Sequence, residues 1–482
     1  MAKGRKNVVV FPFMAQGHII PFLALAHYIE QLGYTVTFVN TPLNIKKLHE
    51  SLPPPSSSID LVEIPFNCAD HGLPPEAENT DSIPYNLFLR LLEATPTLEL
   101  PFRKLLSDLI EAAGEKPVCV ISDFFFGWAA DVTHEFGIFH AIFSCASGFG
   151  LACYYSLRLN LPHQAPENNL EFFLPDFPEA GKLHVTQIPL SVLVAGENDP
   201  MVKFQRKNIP KWSSSDAFIF NTVEDLDRSG LSFFRRKLRI PVWPIGPLLL
   251  SRRDTGSEAP SNLGKCIEWL DKRGPKSVLY ISFGSQNTIS ASQMMNLAKA
   301  LDASSRNFIW VVRPPLETDV NAEFAADKWL PEGFSQRVHD EERGLIISRW
   351  APQVEILAHK SVAAFMSHCG WNSVLESLKH GVPLIGWPVA AEQFYNAKLL
   401  VEEVGVCVEV ARGTNVEVRE EDITEKIELV MGDNEEGKRI RRRTAEVKEM
   451  IEAAMRDEGD YKGSSVKAMQ EFFAAAAKSC CC

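Results

Sequence analysis

The chain has 482 residues, 45% hydrophobic and 23% charged, a balance that supports packed cores and excludes wholesale disorder, collagen and coiled-coil rods. At about 150 residues per domain the length suits two large domains. Forty-nine Lys+Arg against 61 Asp+Glu leave a net charge of −12, so no overall positive field favours nucleic acid or anionic lipid.

Short β-branched or aromatic runs alternate with amphipathic stretches from the N-terminus onward, the pattern of βαβ units around buried parallel sheets, hence an α/β fold. The first unit places a strand over residues 8–13, then a loop and a helix over 21–32 with Phe22, Ala26 and Ile29 on one face and Gly33 as its stop. A strand over 35–39 completes it. The opening apolar run is broken by Pro12 and continues into Gln16 and His18, so it is expected to be a strand and not a signal peptide. Further strands are predicted over 118–122, 141–144 and 217–220. Residues 136–157 contain no Asp, Glu, Lys or Arg, and about 20 apolar residues can span a bilayer. His140, Ser144, Ser147 and the glycines at 137, 148 and 150 break that run into a buried strand, a turn and a helix start, so no transmembrane segment is expected. The Pro- and Ser-rich connections 53–58, 70–81 and 161–181 have the length of loops that shape a binding pocket.

The polar stretch 251–262, with Gly and Pro, is the predicted linker between a first domain over 1–250 and a second that starts at 263. There a strand over 278–282 precedes a helix capped by Ser290 and Gln293, with Met294, Leu297, Ala298 and Leu301 on one face. Strands over 308–312, 345–348, 363–366 and 384–386 follow. The basic run 438–443 is followed by Glu446 and Glu449 and reads as a solvated helix face. The ten cysteines show neither a CxxC pair nor metal-ligand spacing, and three of them, Cys480, Cys481 and Cys482, close the chain as unmodified thiols of a reducing compartment.

Ligands of open doubly wound sheets gather at the carboxyl ends of the strands. His18 follows the first strand within AQGH, and Asp123 follows the strand over 118–122 within SDFFFGW. A carboxylate beside an imidazole fixes its tautomer and stabilises its cation, which suits a general base near neutral pH. Equally, His18 can simply enter a helix and Asp123 cap one that begins at Phe124. The dinucleotide fingerprint, the P-loop and the GxSxG elbow are all missing. In the second half the strand over 363–366 runs through Ser367, His368, Cys369, Gly370 and Trp371 into a helix. Free N–H groups at a helix N-terminus suit a phosphate or diphosphate, and His368, Asn372 and Ser373 add side-chain donors. Ser373 and Glu376 also have capping-box spacing, with Gly381 as the C-terminal stop.

The stretch WAPQVEILAHKSVAAFMSHCGWNSVLESLKHGVPLIGWPVAAEQ, Trp350 to Gln393, resembles the 44-residue signature box of plant family 1 UDP-sugar-dependent glycosyltransferases, at full length and without a gap. FPFMAQGHIIP near the start, FNTVEDLD at 220–227, WPIGPL at 243–248 and ISFGS at 281–285 extend the resemblance over nearly the whole chain. It implies the GT-B architecture, two facing Rossmann-like domains with a deep cleft. The acceptor lies mainly on the first and the UDP-sugar mainly on the second, 263–461, while a helix within 462–482 returns to the first.

By motif, the resemblance implies that Trp350 stacks on uracil with the Ala351 backbone and Gln353 alongside, and that Glu376 accepts from the ribose hydroxyls. His368, Asn372, Ser373 and Ser285, with Gly370 in the same turn, match diphosphate-binding positions; Trp371, Glu392 and Gln393 match sugar-binding ones. His18 matches the catalytic base and Asp123 its partner in an inverting transfer that needs neither metal nor cofactor. Gln393 at the end of the box and Trp371 at its position 22 imply UDP-glucose as donor co-substrate. Glu392 replaces the commoner Asp. Many members also touch the sugar with a Thr or Ser after the next strand, where Ser144 and Cys145 both align. Phe13, Met14, Phe66, Phe125, Phe126 and Phe149 point to a small lipophilic acceptor such as a flavonoid, phenolic or terpenoid alcohol. The expected enzyme is a cytoplasmic monomer of plant secondary metabolism; another UDP-sugar donor, or a catalytically silent UDP-sugar-binding protein, is the alternative.

Overall fold

Strands that read as unbroken apolar runs are buried on both faces, and parallel sheets flanked by helices are where such strands belong. The computed structural model describes residues 6–51, 58–84, 87–164, 170–250, 262–285, 288–318, 322–348, 350–413 and 416–479. In it, β1 (Asn7–Phe11), β2 (Thr35–Asn40), β3 (Ile59–Glu63), β4 (Cys119–Asp123), β5 (Phe139–Ser144), β6 (Ala217–Phe220) and β7 (Val242–Pro244) form one parallel sheet. Its order is β3-β2-β1-β4-β5-β6-β7. A second parallel sheet joins β8 (Val278–Ser282), β9 (Asn307–Val312), β10 (Gly344–Ser348), β11 (Val362–Ser367), β12 (Leu384–Gly386) and β13 (Cys407–Glu409). Its order is β10-β9-β8-β11-β12-β13. The chain is therefore a two-domain α/β protein of the GT-B kind.

In each sheet the strand order reverses once, between β1 and β4 and between β8 and β11. The helices after neighbouring strands there lie on opposite faces, so a crevice opens at the carboxyl ends. Register sharpens this: Phe11 pairs with Ser122 and Asp123 with Phe143 in the first sheet, and Ser282 pairs with Ser367 and Ser367 with Gly386 in the second. The loops that follow these strands must meet.

The apolar run at 136–157 becomes β5 and the start of the helix Gly148–Asn160, whose N-cap Ser147 accepts the Gly150 N–H. Among the described residues no helix is long and apolar enough to cross a membrane. The helix Ser464–Ser479 lies against the first sheet: Phe473 stacks on Tyr34 with ring centroids 4.6 Å apart, and the Trp243 indole N–H donates to Glu471. Ser290 and Gln293 form the predicted capping box. The basic run lies on the helix Glu435–Met455, where Lys438, Arg439 and Arg443 pair with nearby acids.

The edge strands β3, β7 and β13 have no counterpart in the sequence reading: β3 and β13 each have one buried residue, and β7 is only three residues long. Residues 53–57 of the first predicted loop, 251–261 of the linker and the terminal Cys480, Cys481 and Cys482 lie outside the described residues. The seven described cysteines are free and buried.

Candidate active site

The helix after β1 spans Gln16–Gln31, five residues earlier than its apolar periodicity predicts, with Pro21 inside it. His18 therefore sits in its first turn, aimed at the carboxyl end of β4. The imidazole Nδ1 lies 2.6 Å from Asp123 Oδ2. Asp123 is wholly buried, and its carboxylate also accepts the backbone N–H groups of Phe13 at 3.3 Å and Phe125 at 3.0 Å. These donors fix the carboxylate so that it can orient the ring. Burial by itself lowers the pKa of His18, but the Asp123 carboxylate and the neighbouring Cys145 outweigh it and hold the group well above its ordinary 6.5. Burial pushes the Cys145 thiol up in turn, so near neutral pH Asp123 is the anion that matters. Of the two candidates after β5, Ser144 is fully buried with its hydroxyl turned to Ala146, whereas Cys145 lines the cavity beside His18.

In the second domain the helix Trp371–Lys379 starts directly after Gly370, which is its N-cap, and no side chain caps it. This corrects the capping-box alternative: Ser373 lies inside the first turn, and its hydroxyl accepts from Gln353 at 3.0 Å. The first N–H groups of the helix are left for a ligand. Gly381 does close the helix, at φ +67°. The His368 ring is wedged between two glycines. A Cβ on Gly284 would fall 2.7 Å from its Nε2, and one on Gly370 would fall 2.4 Å from the same atom. Burial lowers His368 to a pKa of about 4, so it is a neutral hydrogen-bonding group, and its buried Nδ1 has no protein partner. Gln353 donates to Glu376 Oε2 at 2.7 Å and accepts from the Tyr280 hydroxyl at 3.2 Å. Burial pushes Glu376 up to about 7. Trp350 stands half exposed, an open indole face beside that pair.

One cavity of about 730 Å³ runs between the two sheets. The catalytic and donor-site candidates of the sequence line it, namely His18, Ser285, Trp350, Ala351, Gln353, His368, Gly370, Trp371, Asn372, Ser373, Glu376, Glu392 and Gln393, except Asp123, which stands behind His18. Glu392 and Gln393 face it from the start of the helix Gln393–Lys398, and Gln393 is tied to the Val389 and Ala390 N–H groups. The Trp371 indole N–H is engaged across the cleft by the Asn221 carbonyl at 2.9 Å. Among the described residues no three His, Cys, Asp or Glu gather as a metal site.

Asn372 makes a second crossing, donating to the Gly17 carbonyl at 2.9 Å. That carbonyl is free because proline has no N–H, and Pro21 stands where the helix would supply the donor. A third crossing links the Ser147 hydroxyl to Asn396 Oδ1 at 2.6 Å, and Asn396 also donates to the Cys369 carbonyl at 2.9 Å. Asn396 lies just beyond the signature box, and one Asn in a short helix of mixed polarity gives no sequence signal for such a bridge. Of the aromatic candidates, Phe13 and Phe125 line the cavity, while Met14, Phe126 and Phe149 belong to the core and Phe66 stacks on His71. Phe88, Leu89 and Phe124 line it unforeseen, and its far wall comes from residues 189–201 and not from the described part of 161–181.

A family model described as UDP-glucoronosyl and UDP-glucosyl transferase matches residues 244–443. UDP-glycosyltransferase 92A1 of Arabidopsis thaliana is 49% identical over 474 residues, covering 97% of this chain and 96% of its own. Crocetin glucosyltransferase 3 of Crocus sativus is 39% identical over 450 residues, covering 89% and 91%. Among solved structures, a UDP-glucosyltransferase from Polygonum tinctorium capable of glucosylating indoxyl aligns with a TM-score of 0.80 at 29% identity, over 99% of each chain.

Proposed function

Because the chain belongs to the plant family 1 UDP-glycosyltransferases, we propose that it moves glucose from UDP-glucose to a hydroxyl of a small lipophilic acceptor, with inversion at the anomeric carbon. The observation that carries this reading is the placement of the His18–Asp123 pair and the uncapped N-terminus of Trp371–Lys379 on one cavity. With Nδ1–H donated to Asp123, Nε2 of His18 is the nitrogen that accepts the proton. The acceptor oxygen gives up its proton to Nε2 and bonds to the anomeric carbon while the bond from that carbon to the diphosphate breaks. Attack from the face opposite UDP turns an α-linked donor into a β-linked product.

UDP leaves with its negative charge facing the free amides of Trp371–Lys379, the Ser285 and Ser373 hydroxyls and the neutral His368. Trp350 offers its face to the uracil, and Glu376 accepts from the ribose hydroxyls. Glu392 and Gln393 hold the sugar, and Cys145, after β5, lines the same cavity. These residues supply the transfer chemistry without a metal or other cofactor. The apolar lining from Phe13, Phe88, Phe124 and Phe125 favours a lipophilic acceptor, in keeping with the crocetin and indoxyl named for two similar proteins. A monomer acting in the cytoplasm on plant secondary metabolites completes the proposal.

The test is a mass-resolved assay with several UDP-sugars and a panel of flavonols, phenolic acids and terpenoid alcohols. UDP-glucose is expected to give a product heavier by one hexose. His18→Ala is expected to lower turnover by about 10²- to 10⁴-fold while UDP still binds. Wild-type turnover in that variant would remove His18 as the base.

A further inference from the structure

One helix forms a long wall of the acceptor half. In Gly148–Asn160, Leu151, Tyr154 and Arg158 recur at i, i+3 and i+7, so they share a face, and all three line the cavity together with Leu157. Arg158 is only 5% exposed. Its Nε and Nη1 donors are buried without a protein partner, and no ion pair reaches it among the described residues. Of the acids on the same cavity, Glu355, Glu376 and Glu392 come from the second domain, and Asp199 already accepts the Met201 and Val202 N–H groups as a helix cap. The Tyr154 ring, 5.3 Å from the guanidinium carbon, and the negative end of the helix offset part of the cost of burying this cation. They leave the Nε and Nη1 hydrogen bonds unmade, and a buried charge with open donors is strongly unfavourable until something pairs with it.

We propose that Arg158 is the counter-ion for the acceptor, and that the compound glycosylated is an elongated lipophilic hydroxy acid whose carboxylate seats on this guanidinium while its hydroxyl reaches His18. This rests on the transferase reading. The planar guanidinium fork matches a carboxylate with two parallel hydrogen bonds, which a neutral oxygen cannot reproduce. The helix also sets the length. Cys145, which lines the cavity with His18, lies just before it, and Arg158 is ten residues on from Gly148, about 15 Å along the axis at 1.5 Å per residue. Hydroxyl and carboxylate therefore stand on the order of 10–15 Å apart, too far for a phenolic acid of one ring and suited to a terpenoid or long-chain hydroxy acid. Leu151 and Leu157 supply an apolar track between the two ends.

The full-length enzyme, supplied with UDP-glucose, is offered long hydroxy acids and their methyl esters, with products resolved by mass. Wild type is expected to show a KM about 10- to 100-fold lower for each acid than for its ester. Arg158→Gln is expected to erase that preference by raising the KM of the acid, and Arg158→Lys to keep part of it. Equal use of acid and ester by wild type overturns the proposal without reference to any variant. A loss of UDP affinity in Arg158→Gln would assign the guanidinium to the donor and overturn it as well. If neither compound is glucosylated, calorimetric titration of each into the UDP-loaded enzyme separates the two readings. Tighter binding of the acid upholds the Arg158 site while the transfer reading fails, and equal binding overturns the site itself.

Discussion

Replacing Asp123 by Asn keeps the size of the side chain and removes its charge, and three contacts determine the effect. The carboxylate lies 2.6 Å from His18 Nδ1 and accepts two backbone N–H groups. An amide has one oxygen for three donors. If that oxygen stays with the backbone, the amide N–H₂ faces Nδ1, which must then accept, and the ring proton moves to Nε2, the atom needed as the base. The charge effect is separate. An adjacent carboxylate raises an imidazole by about 1–3 pH units, or about 1.4–4 kcal/mol, and without it the lowering by burial is opposed only by the neighbouring Cys145. The base must be neutral to act, so in wild type kcat/KM rises with pH through a His18 pKa above 6.5. In Asp123→Asn that limb is expected to move about 1–3 units towards acid, with the plateau about 10²- to 10⁴-fold lower. Initial rates from about pH 5 to 9, with an acceptor alcohol that does not itself ionise there, measure both effects. UDP affinity serves as the control, since Asp123 does not line the cavity. An acid limb that stays in place or moves towards base would refute the reasoning.

Gly370→Ala is expected to weaken UDP binding about 5- to 100-fold, because the added Cβ meets His368 at 2.4 Å and Gly284 blocks the ring's retreat; unchanged affinity by calorimetry would show that the ring moves freely. Uridine binding, which avoids phosphate titration, is expected to strengthen as pH rises through about 7, where Glu376 ionises, and Glu376→Gln to flatten that dependence. A slope that survives the substitution would point to another group. Phe472→Ala empties a fully buried site against Phe139 and Trp243, which costs about 3–5 kcal/mol. A clear fall in Tm is expected, with UDP affinity retained, and an unchanged melt would count against tight docking of the last helix.

Strand positions were legible wherever an apolar run is buried on both faces, as in β1, β4, β8 and β11, and His18 and Asp123 were legible because they are the polar residues at the ends of such runs. The short or half-exposed edge strands β3, β7 and β13 were not, although the edge strand β10 was, through its Leu-Ile-Ile run. The signature box marked the donor side residue by residue, and the turn at Gly370 marked the start of its helix, while Ser373 and Glu376 imitate a cap that Gly370 in fact supplies. Residues acting over long sequence distances left no local trace. Asn396 bridges to Ser147, Asn372 reaches Gly17, and residues 189–201 close the cavity from a segment with no periodic pattern. Arg158 escaped because the apolar run that drew attention ends one residue before it, and only the helix face places it on the cavity.

The return of the helix Ser464–Ser479 to the first sheet has a consequence for recombining relatives. A chimera joined once, near residue 262, would take its last helix from the parent of the second half, and Phe472, Phe473 and Glu471 would face another parent's versions of Tyr34, Phe139 and Trp243. The natural unit of exchange is discontinuous. A graft of acceptor preference should carry the closing helix along with the first half and change parents twice, once in the linker and once before Ser464.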